Sequence, residues 1–489
     1  MAAWIWAVLS ALLFVRLLQK FVGKRGKKQP PSPRGLPIIG HLHLIGKNPP
    51  RALRDLAVKH GPIMGMRFGS VPVVIISSPA AAELVLKTHD LTFASRPYQD
   101  AFHHLSYGQK NIVFCPYGSY WRDMRKLCTV ELLSNHRIGQ FHATRKARLV
   151  GLVDTLKRAA GSRESVNLST EMVSAIGDMN SMMMFGRTFR EETEFQAVIK
   201  EALELTAKFN VADYFPAVRF LDLQGMNRRM KKLQEIFDDV LERIINDHAH
   251  NNKGKENGDF VDIMMSIMES GEASFQFDKS NIKAVLLDML IGGMDSSATA
   301  TEWTLSELIR HPEAMAKLRK ELQTIAGPGE MVEESRLEKL EYLNCVVKET
   351  LRLHPVAPLM VPHESMEDCV VDGYYIPKKT RVLLNAWAIG RDPARWDRPD
   401  EFSPERFVGS KVDLKGRDYH LVPFGSGRRI CPGMHLGLTM VRFMIAQLVH
   451  LFDWELPGGV RGEDLDMTEN FSLVTYRVNS LEAIPTLRA

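Results

Sequence analysis

The chain has 489 residues, of which 45% are apolar and 25% are charged, a composition typical of a globular protein with a large core. Its formal net charge of +5 comes largely from the basic segment 23–29, so the rest of the chain is nearly neutral and nucleic-acid binding is not indicated. The five cysteines have no paired spacing, which argues against a disulfide framework or a structural zinc site and predicts that the catalytic part faces a reducing compartment.

An apolar segment begins the chain. Residues 2–15 carry no charge, and the hydrophobic character continues to about residue 22. A cleaved signal peptide is the alternative interpretation, but its positive charges would precede the apolar run, whereas here they follow it, and no clear cleavage site is present. We therefore expect an uncleaved transmembrane signal-anchor helix at 1–22, with everything after it on the cytosolic side.

The next segment, 23–40, is basic and then rich in proline. Because proline fixes φ and removes a backbone donor, this segment is predicted to be a stiff, extended hinge between the anchor and a folded domain. No Gly/Ser-rich or Pro-rich linker and no internal repeat follows residue 50, so residues 41–489 are expected to form one large domain.

Helical periodicity dominates that domain. It predicts helices at 147–159, 228–248 and 281–312. The last of these is expected to be central and largely buried, because its apolar residues do not stay on one face.

Strand signals are fewer and shorter. Segments rich in β-branched or aromatic residues predict strands at 71–78, 369–386 and 471–478. The polar, glycine-bearing stretch 253–260 predicts a mobile connection before the long helix. The expected fold class is therefore mainly α with small peripheral β-sheets.

A lone cysteine, Cys431, occurs in the sequence LVPFGSGRRICPGM at 421–434. Pro432 and an apolar run follow it, so Cys431 is predicted to lie close to the start of a helix, where the helix dipole and backbone N–H groups would favour a thiolate. Such a thiolate could be a nucleophile, a zinc ligand, a redox thiol or the axial ligand of a haem. A buried structural cysteine is the plainer alternative.

The neighbours of Cys431 favour the haem ligand. A cysteine hydrolase needs a histidine base and zinc needs further ligands, and this local motif supplies neither. Gly425, Gly427 and Gly433 leave space for a flat macrocycle, and Arg429 offers a cation for its carboxylates.

The segment from Phe424 to Gly433 resembles the haem-binding loop, FxxGxRxCxG, of the cytochrome P-450 family. The resemblance runs from about residue 30 to the end of the chain, and FASRP at 93–97, WRDMR at 121–125 and KETLRLHP at 348–355 are closest to the plant A-type microsomal group. It implies the cytochrome P-450 fold, with a long central helix over haem b and the cysteine loop beneath it. It also implies an anchor in the endoplasmic reticulum membrane.

The same resemblance implies which residues bind the cofactor. Cys431 is the expected ligand of the iron, and Trp121 and Arg125 are expected to face a haem propionate, with His363 as a weaker candidate for the same role. The full set expected to bind the cofactor is Trp121, Arg125, His363, Phe424, Arg429, Cys431 and Gly433.

A charge network is a further implication of the resemblance. Glu349 and Arg352 lie three residues apart in KETLRLHP, and Arg406 lies in FSPERF at 402–407. In the family these three residues form a buried network under the haem loop. Since breaking such a network by removing one member is costly, its expected role is to fix the fold around the cofactor.

The segment GGMDSS at 292–297 occupies the place of the family's [AG]Gx[DE]T[TS] signature on the long helix. This implies that Asp295 and Ser296 are the acid and the alcohol of a proton relay, with Ser297 or Thr301 as helpers. Serine stands where most members have threonine. Its hydroxyl is less restricted in rotamer because it lacks the methyl group, which puts the coupling efficiency in question.

Electrons must come from another protein, because the chain has no Rossmann fingerprint. The resemblance implies an NADPH-dependent, flavin-containing reductase on the same membrane. Arg122, Lys126 and Arg428 are candidate docking charges for it.

The positions that form the family's substrate pocket are mostly apolar here, which implies a small lipophilic substrate held mainly by burial. They are Phe114, Phe209, Leu287, Gly292, Val356, Met360 and Leu473. Plant A-type members act on terpenoids, phenylpropanoids, flavonoids and related metabolites. The resemblance therefore implies a monooxygenase that inserts one oxygen atom from O2 into such a compound.

Two other functions are weighed against this one. A haem-thiolate isomerase or dehydratase needs no reductase, but such relatives characteristically lack the acid–alcohol pair that Asp295 and Ser296 form here. A non-catalytic haem-binding protein would not require the relay, the hinge and the anchor together.

Overall fold

The computed structural model of the chain describes residues 27–188, 208–251 and 258–488, together with 198–199, 201–202 and 204–206. The predicted membrane anchor at 1–22 and most of the predicted connection at 253–260 lie outside the described residues. A mainly helical body carries several small sheets, so the predicted fold class is confirmed.

Helices make up most of the regular structure in this part of the chain. In chain order they are α1 (Pro49–His60), α2 (Pro79–Glu83), α3 (Asp100–Leu105), α4 (Ser119–Leu127), α5 (Asn135–Gln140), α6 (His142–Ser162), α7 (Leu168–Phe185), α8 (Val211–Tyr214), α9 (Met226–Asn251), α10 (Phe260–Ser270), α11 (Lys279–Arg310), α12 (Pro312–Leu322), α13 (Glu341–Leu353), α14 (Ala386–Ile389) and α15 (Met434–Leu451). The helices predicted at 147–159 and 228–248 lie within α6 and α9.

The longest of them, α11, has 32 residues. Asp278 caps its N-terminus and accepts a hydrogen bond from the N–H of Asn281, whose side chain bonds back to the Asp278 backbone. The helix ends at Arg310, two residues before its predicted end. It stops there because Pro312 disfavours a helical conformation at His311 and itself begins α12.

Helix α11 is central, as predicted. Every residue from 297 to 309 is buried, and the helix packs between α7 on one side and α15 on the other. Glycines shorten the distance to α7: a Cβ at Gly177 would lie 3.1 Å from the sulfur of Met294, and one at Gly293 would lie 3.2 Å from Nδ2 of Asn180. The two helices can therefore approach closely at the middle of α11.

The strands described are short. They are β1 (Ile63–Phe68), β2 (Val71–Ile76), β3 (Val166–Asn167), β4 (His363–Glu364), β5 (Cys369–Val371), β6 (Tyr374–Ile376), β7 (Arg381–Leu384), β8 (Phe452–Glu455), β9 (Glu469–Asn470), β10 (Tyr476–Arg477) and β11 (Glu482–Leu487). The largest sheet has the order β1-β2-β7-β4, in which β2 and β7 are parallel and the other pairs antiparallel.

The three strand predictions have different outcomes. The one at 71–78 contains β2, and the one at 369–386 contains β5, β6 and β7, with a tight turn between β5 and β6 where Asp372 and Gly373 both have positive φ. The prediction at 471–478 is wrong for most of its length, because only β10 pairs there. Its apolar residues Leu473 and Val474 line an internal cavity instead, and a sequence pattern does not distinguish that kind of burial from burial in a sheet.

The described part of the predicted hinge, 27–40, packs against the folded domain. The carbonyl of Lys28 accepts a hydrogen bond from the N–H of Tyr375 (2.7 Å), and that of Pro31 accepts one from Gly65 (2.8 Å). This extended segment is thereby attached to the strands β1 and β6.

One helix of the described residues, α15, is long and apolar enough to cross a membrane. Of its residues, 72% are buried inside the protein, and the helix packs against α11. Its apolar character is therefore that of a core helix.

Candidate active site

A cavity of about 360 Å³ lies between α11 and the loop that carries Cys431. Cys431, Gly433 and Phe424 are on the loop side of the cavity, and Gly292 and Ser296 are on the α11 side. Its walls are mainly apolar. A site of this kind holds a small molecule chiefly by burial.

The cysteine loop is closed by its own backbone. The N–H of Cys431 donates to the carbonyl of Phe424 (2.9 Å), and Gly425 and Gly427 between them have φ of 71° and 65°. Gly433 is the N-cap of α15, so Cys431 lies two residues before the N-cap and three before the first helical residue, close to the predicted position. The loop thus presents a half-buried thiol to the cavity.

Burial raises the pKa of the Cys431 thiol, and this outweighs the hydrogen bond from the Gly433 amide and the nearby charge of Arg125, both of which lower the pKa. A metal ion bound to the sulfur would reverse this balance, because a coordinating thiol is deprotonated.

The three glycines of the loop have different roles. A Cβ at Gly433 would meet no atom within 4 Å, and one at Gly425 would meet only the carbonyl of Arg429, at 4.0 Å. These two glycines leave open space in the cavity, as predicted for a cradle under a macrocycle. Gly427 does not, because its Cβ would lie 2.5 Å from the carbonyl oxygen of Leu86. Glycine is required at 427 by that backbone contact.

Three arginines and a histidine line the same cavity: Arg96, Arg125, Arg429 and His363. Arg429 donates to the carbonyls of Ala94 (2.7 Å) and Cys115 (2.6 Å), and Nδ1 of His363 bonds the carbonyl of Phe93 (2.8 Å). Arg96 and Arg125 likewise donate to backbone oxygens, those of Val361 and Ile430. These bonds hold the four side chains in place and leave further N–H groups of the arginines available.

The positive charges of this cluster are not balanced by protein. Burial, and next the charge of Arg429, lower the pKa of Arg96, and burial lowers the pKa of Arg429 to about 10. No carboxylate of the described residues forms an ion pair with Arg96, Arg125 or Arg429. Because buried charges without a partner are costly, the cluster requires an anionic ligand.

The residues present therefore fit a haem. Cys431 would supply a sulfur ligand to the iron, the open space at Gly425 and Gly433 would receive the macrocycle, and the arginine cluster would neutralise its two carboxylates.

Trp121 does not line the cavity, although the motif pattern predicted that it would face a propionate. Its Nε1–H donates to the carbonyl of Ile112 (3.0 Å), and the guanidinium of Arg429 lies over its ring. Trp121 thus contacts the cavity-lining Arg429 and helps to hold its guanidinium in place. Arg96 is the converse case: it lines the cavity but was not among the predicted site residues, and FASRP at 93–97 was the signal that could have indicated it.

On the α11 side, the two predicted relay residues differ in position. Ser296 lines the cavity, and its hydroxyl donates to the carbonyl of Gly292 (2.7 Å). Asp295 does not line the cavity. Its negative charge instead helps to raise the pKa of Glu302 and of Tyr476. Burial raises the pKa of Asp295. The structure therefore places the alcohol at the cavity and the acid on the flank of α11.

The two residues predicted to help the proton relay, Ser297 and Thr301, also differ in position. Ser297 lines the cavity, whereas Thr301 is fully buried and donates to the carbonyl of Ser297 (2.8 Å) within the helix. Of the two, only Ser297 is in reach of a molecule in the cavity.

Six of the seven predicted pocket residues line the cavity: Phe114, Leu287, Gly292, Val356, Met360 and Leu473. The prediction for Phe209 is wrong. Its side chain is 46% exposed and stacks on Tyr214, with ring centroids 4.9 Å apart, outside the cavity.

A buried carboxylate that the sequence analysis did not single out attaches the loop 111–113 to α11. Asp288 accepts hydrogen bonds from Nδ2 of Asn111 (2.6 Å) and from the N–H groups of Ile112 (2.8 Å) and Val113 (3.1 Å). Burial raises its pKa to about 7, although these bonds oppose the shift. Because Ile112 also accepts from Trp121, this attachment supports the arginine cluster.

The three residues of the predicted charge network are in contact with one another, outside the cavity. Arg352 and Glu349 form two hydrogen bonds, of 2.7 and 2.8 Å, and are fully buried, while Nε of Arg406 lies 2.8 Å from the same carboxylate. Arg352 also donates to the carbonyls of Gly390 and Pro399. The network therefore joins α13 to the segment 390–406.

A sequence model of the family described as cytochrome P450 matches residues 30–480. Cytochrome P450 CYP736A12 of Panax ginseng is 48% identical over 95% of this chain and 94% of its own length. Desmethyl-deoxy-podophyllotoxin synthase of Sinopodophyllum hexandrum and premnaspirodiene oxygenase of Hyoscyamus muticus are each 40% identical, over 98% and 97% of this chain respectively and 96% of either relative.

The fold is similar to that of a solved cytochrome P450. A zebra fish cytochrome P450 solved with progesterone superposes with a TM-score of 0.77 at 24% identity, covering 90% of this chain and 99% of that one. This similarity shows the shared fold.

Proposed function

The chain belongs to the cytochrome P450 family, as a monooxygenase of the plant A-type group, and from this we propose that it oxidises a small lipophilic plant metabolite in the endoplasmic reticulum membrane. In the proposed reaction one oxygen atom of O2 enters the substrate, and NADPH supplies the electrons through a flavin-containing reductase. The observation that carries the proposal is the mainly apolar cavity, which has a thiol on one side, a serine hydroxyl on the other and uncompensated arginines at its edge.

Haem is the cofactor that the family implies, and its iron supplies the centre at which O2 is activated. Cys431 would hold the iron through Sγ, and the hydrogen bond from the Gly433 amide would temper the electron donation of the sulfur. Arg96, Arg125 and Arg429 would bind the two carboxylates, and neutral His363 would add a ring nitrogen.

Ser296 and Asp295 are proposed to deliver protons to the cavity. The Ser296 hydroxyl now donates to Gly292, so it must rotate to donate toward the cavity, and serine can do so because no methyl group fixes its rotamer. The raised pKa of Asp295 lets that carboxyl hold a proton nearer to neutral pH than an exposed aspartate would.

The walls of the cavity would hold the substrate by excluding water. Phe114, Leu287, Val356 and Leu473 contribute apolar surface, which suits a lipophilic molecule. Two relatives named for oxidising a terpene and for making a lignan support a terpenoid or phenylpropanoid substrate.

The reductase is proposed to dock at the face that carries α4. Arg122 and Lys126 are exposed on that helix and can contribute positive charge to an encounter. Arg428, the third predicted docking residue, already pairs with Asp90 and bonds Tyr117, so it contributes less.

Two measurements test the proposal. The reduced protein with carbon monoxide should give the red-shifted Soret band of thiolate-ligated haem, and a band at the position typical of a histidine ligand would reject the assignment of Cys431. Microsomes that contain the protein and a plant reductase should convert members of a terpenoid and phenylpropanoid panel only with NADPH and O2, as read by mass spectrometry. Conversion of a hydroperoxide without reductase would instead support the isomerase or dehydratase alternative.

A further inference from the structure

Asn180, in the middle of α7, is the feature of the cavity that the proposed reaction leaves unexplained. Its side chain is only 4% exposed and lines the cavity, yet Nδ2 has no hydrogen-bond partner among the described residues. Buried amide donors are almost always satisfied, because an unsatisfied one costs free energy. An unpaired amide at this position therefore indicates a donor whose partner is a molecule in the cavity.

The position of Asn180 depends on a glycine. A Cβ at Gly293 would lie 3.2 Å from Nδ2 and 3.6 Å from Cγ of Asn180, so a larger residue at 293 would crowd the amide. Gly293 also lines the cavity. The glycine thus allows the amide to reach the edge of α11 and the open space beside it.

The amide is placed for a substrate and not for the proton relay. Successive residues of an α-helix are rotated by about 100°, so Gly293 and Asp295 project about 200° apart around α11. Asn180 lies against Gly293, whereas the charge of Asp295 acts on Glu302 on the other flank. Asn180 is therefore on the side of the helix away from the acid.

The lining of the cavity is mainly apolar, and it includes Met184, one helical turn after Asn180 on α7, together with Phe260 and Met289. In a pocket that is otherwise apolar, one fixed hydrogen-bond donor determines which end of a ligand faces it.

We propose that Nδ2 of Asn180 donates a hydrogen bond to an oxygen atom that the substrate already carries, so that the enzyme prefers an oxygenated lipophile, a ketone or an alcohol, over the hydrocarbon of the same skeleton. This inference rests on the proposed function and specifies its substrate class. Asn180 is a positioning residue in this assignment, and the oxygen it binds is remote from the atom that is oxidised.

The test is an optical titration of the purified, haem-loaded enzyme with two matched pairs of terpenes. Limonene and valencene are hydrocarbons, and carvone and nootkatone are the ketones of the same skeletons. Asn180→Leu keeps the size of the side chain and removes the amide. It should weaken binding of the ketones by about tenfold and change binding of the hydrocarbons by less than about twofold, because one buried hydrogen bond is lost.

Thermal unfolding of the same variant without ligand separates this role from a structural one. Since Nδ2 has no partner in the part of the chain that the structure describes, Asn180→Leu should keep or raise the midpoint, whereas loss of a structural hydrogen bond would lower it. Met179→Leu is the matched control, because Met179 is the buried neighbour on α7 that does not line the cavity, and it should leave both ketone binding and the midpoint unchanged.

Three results would overturn the inference: a wild-type enzyme that binds neither ketone, a ketone affinity that survives Asn180→Leu, or a lowered midpoint in that variant. None of them depends on the spectrum with carbon monoxide, which tests the proposed function on the same preparation. Failure of the inference and failure of the function can therefore be told apart.

Discussion

The guanidinium of Arg429 lies over the indole ring of Trp121, 4.1 Å from the ring centroid. The ring is itself held by the hydrogen bond from its Nε1 to the carbonyl of Ile112. Trp121 therefore supports the cation that faces the proposed haem carboxylates, and the tryptophan of the motif contributes by stacking.

Replacing that ring should weaken the binding of haem. Trp121→Leu removes a stacked cation pair that is worth about 1–2 kcal/mol in a buried site, so haem should be lost roughly tenfold faster to excess apomyoglobin. Trp121→Phe keeps an aromatic face and loses only the N–H, so it should show a clearly smaller effect. Equal rates in the two variants would show that the ring face does not matter.

Replacing either of two glycines of the cysteine loop by alanine should affect a different property of the protein. Gly427→Ala places a Cβ against the Leu86 carbonyl at a φ of 65° and should destabilise the haem-free protein by about 1–3 kcal/mol in urea unfolding. Gly433→Ala meets no protein atom, so the haem-free protein should keep its stability while haem affinity falls. A stable Gly427→Ala variant would refute the contact with Leu86.

The buried network around Glu349 should be costly to break. Glu349→Gln leaves Arg352 and Arg406 without their negative partner, and it should lower the free energy of unfolding by about 3–5 kcal/mol. Glu83→Gln is the control, because Glu83 forms an exposed pair with Lys87 and its replacement should cost much less than that of Glu349. Similar losses in the two variants would mean that the network does not support the fold.

How far the sequence could predict this site depends on whether a feature is local. Cys431 and its loop, and Ser296 on α11, follow from patterns within one segment, and the structure brings them to one cavity. For Arg96 the motif FASRP could indicate a role, but not the position of the guanidinium, which is set by hydrogen bonds to the carbonyls of Val361 and Pro362, far away in the chain.

Phe209 and Gly427 show the same limit. An apolar residue near a pocket-forming segment resembles one that lines the pocket, and only the packing on Tyr214 shows that Phe209 is outside. A glycine in a haem loop suggests space for the macrocycle, and only the approach of Leu86 shows that Gly427 serves a backbone contact.

Ser296 on α11 should control how much product is formed for each NADPH consumed. Ser296→Ala removes the hydroxyl that lines the cavity, so product formed per NADPH consumed should fall by roughly tenfold or more if that hydroxyl transfers protons. Ser296→Thr restricts the rotamer and should keep or raise the ratio. Thr301→Val removes a buried hydroxyl that does not line the cavity, and it should leave the ratio unchanged. An unchanged ratio in Ser296→Ala would exclude Ser296 from the relay.

A histidine far from the cavity should make stability depend on pH. Nε2 of His248, on α9, lies 2.8 Å from Oδ2 of Asp259, the N-cap of α10, and this hydrogen bond is the main reason that the pKa of His248 is raised. A histidine whose pKa is higher in the folded state stabilises the fold fully below its unfolded pKa of about 6.5, and this contribution is lost as the pH rises through the folded pKa. His248→Gln should therefore cost about 1–2 kcal/mol in urea unfolding at about pH 6 and clearly less at about pH 9. His250→Gln, at an exposed position two residues further on, should cost little at either pH, and a His248 effect that grows with pH would show that the ion pair with Asp259 does not form.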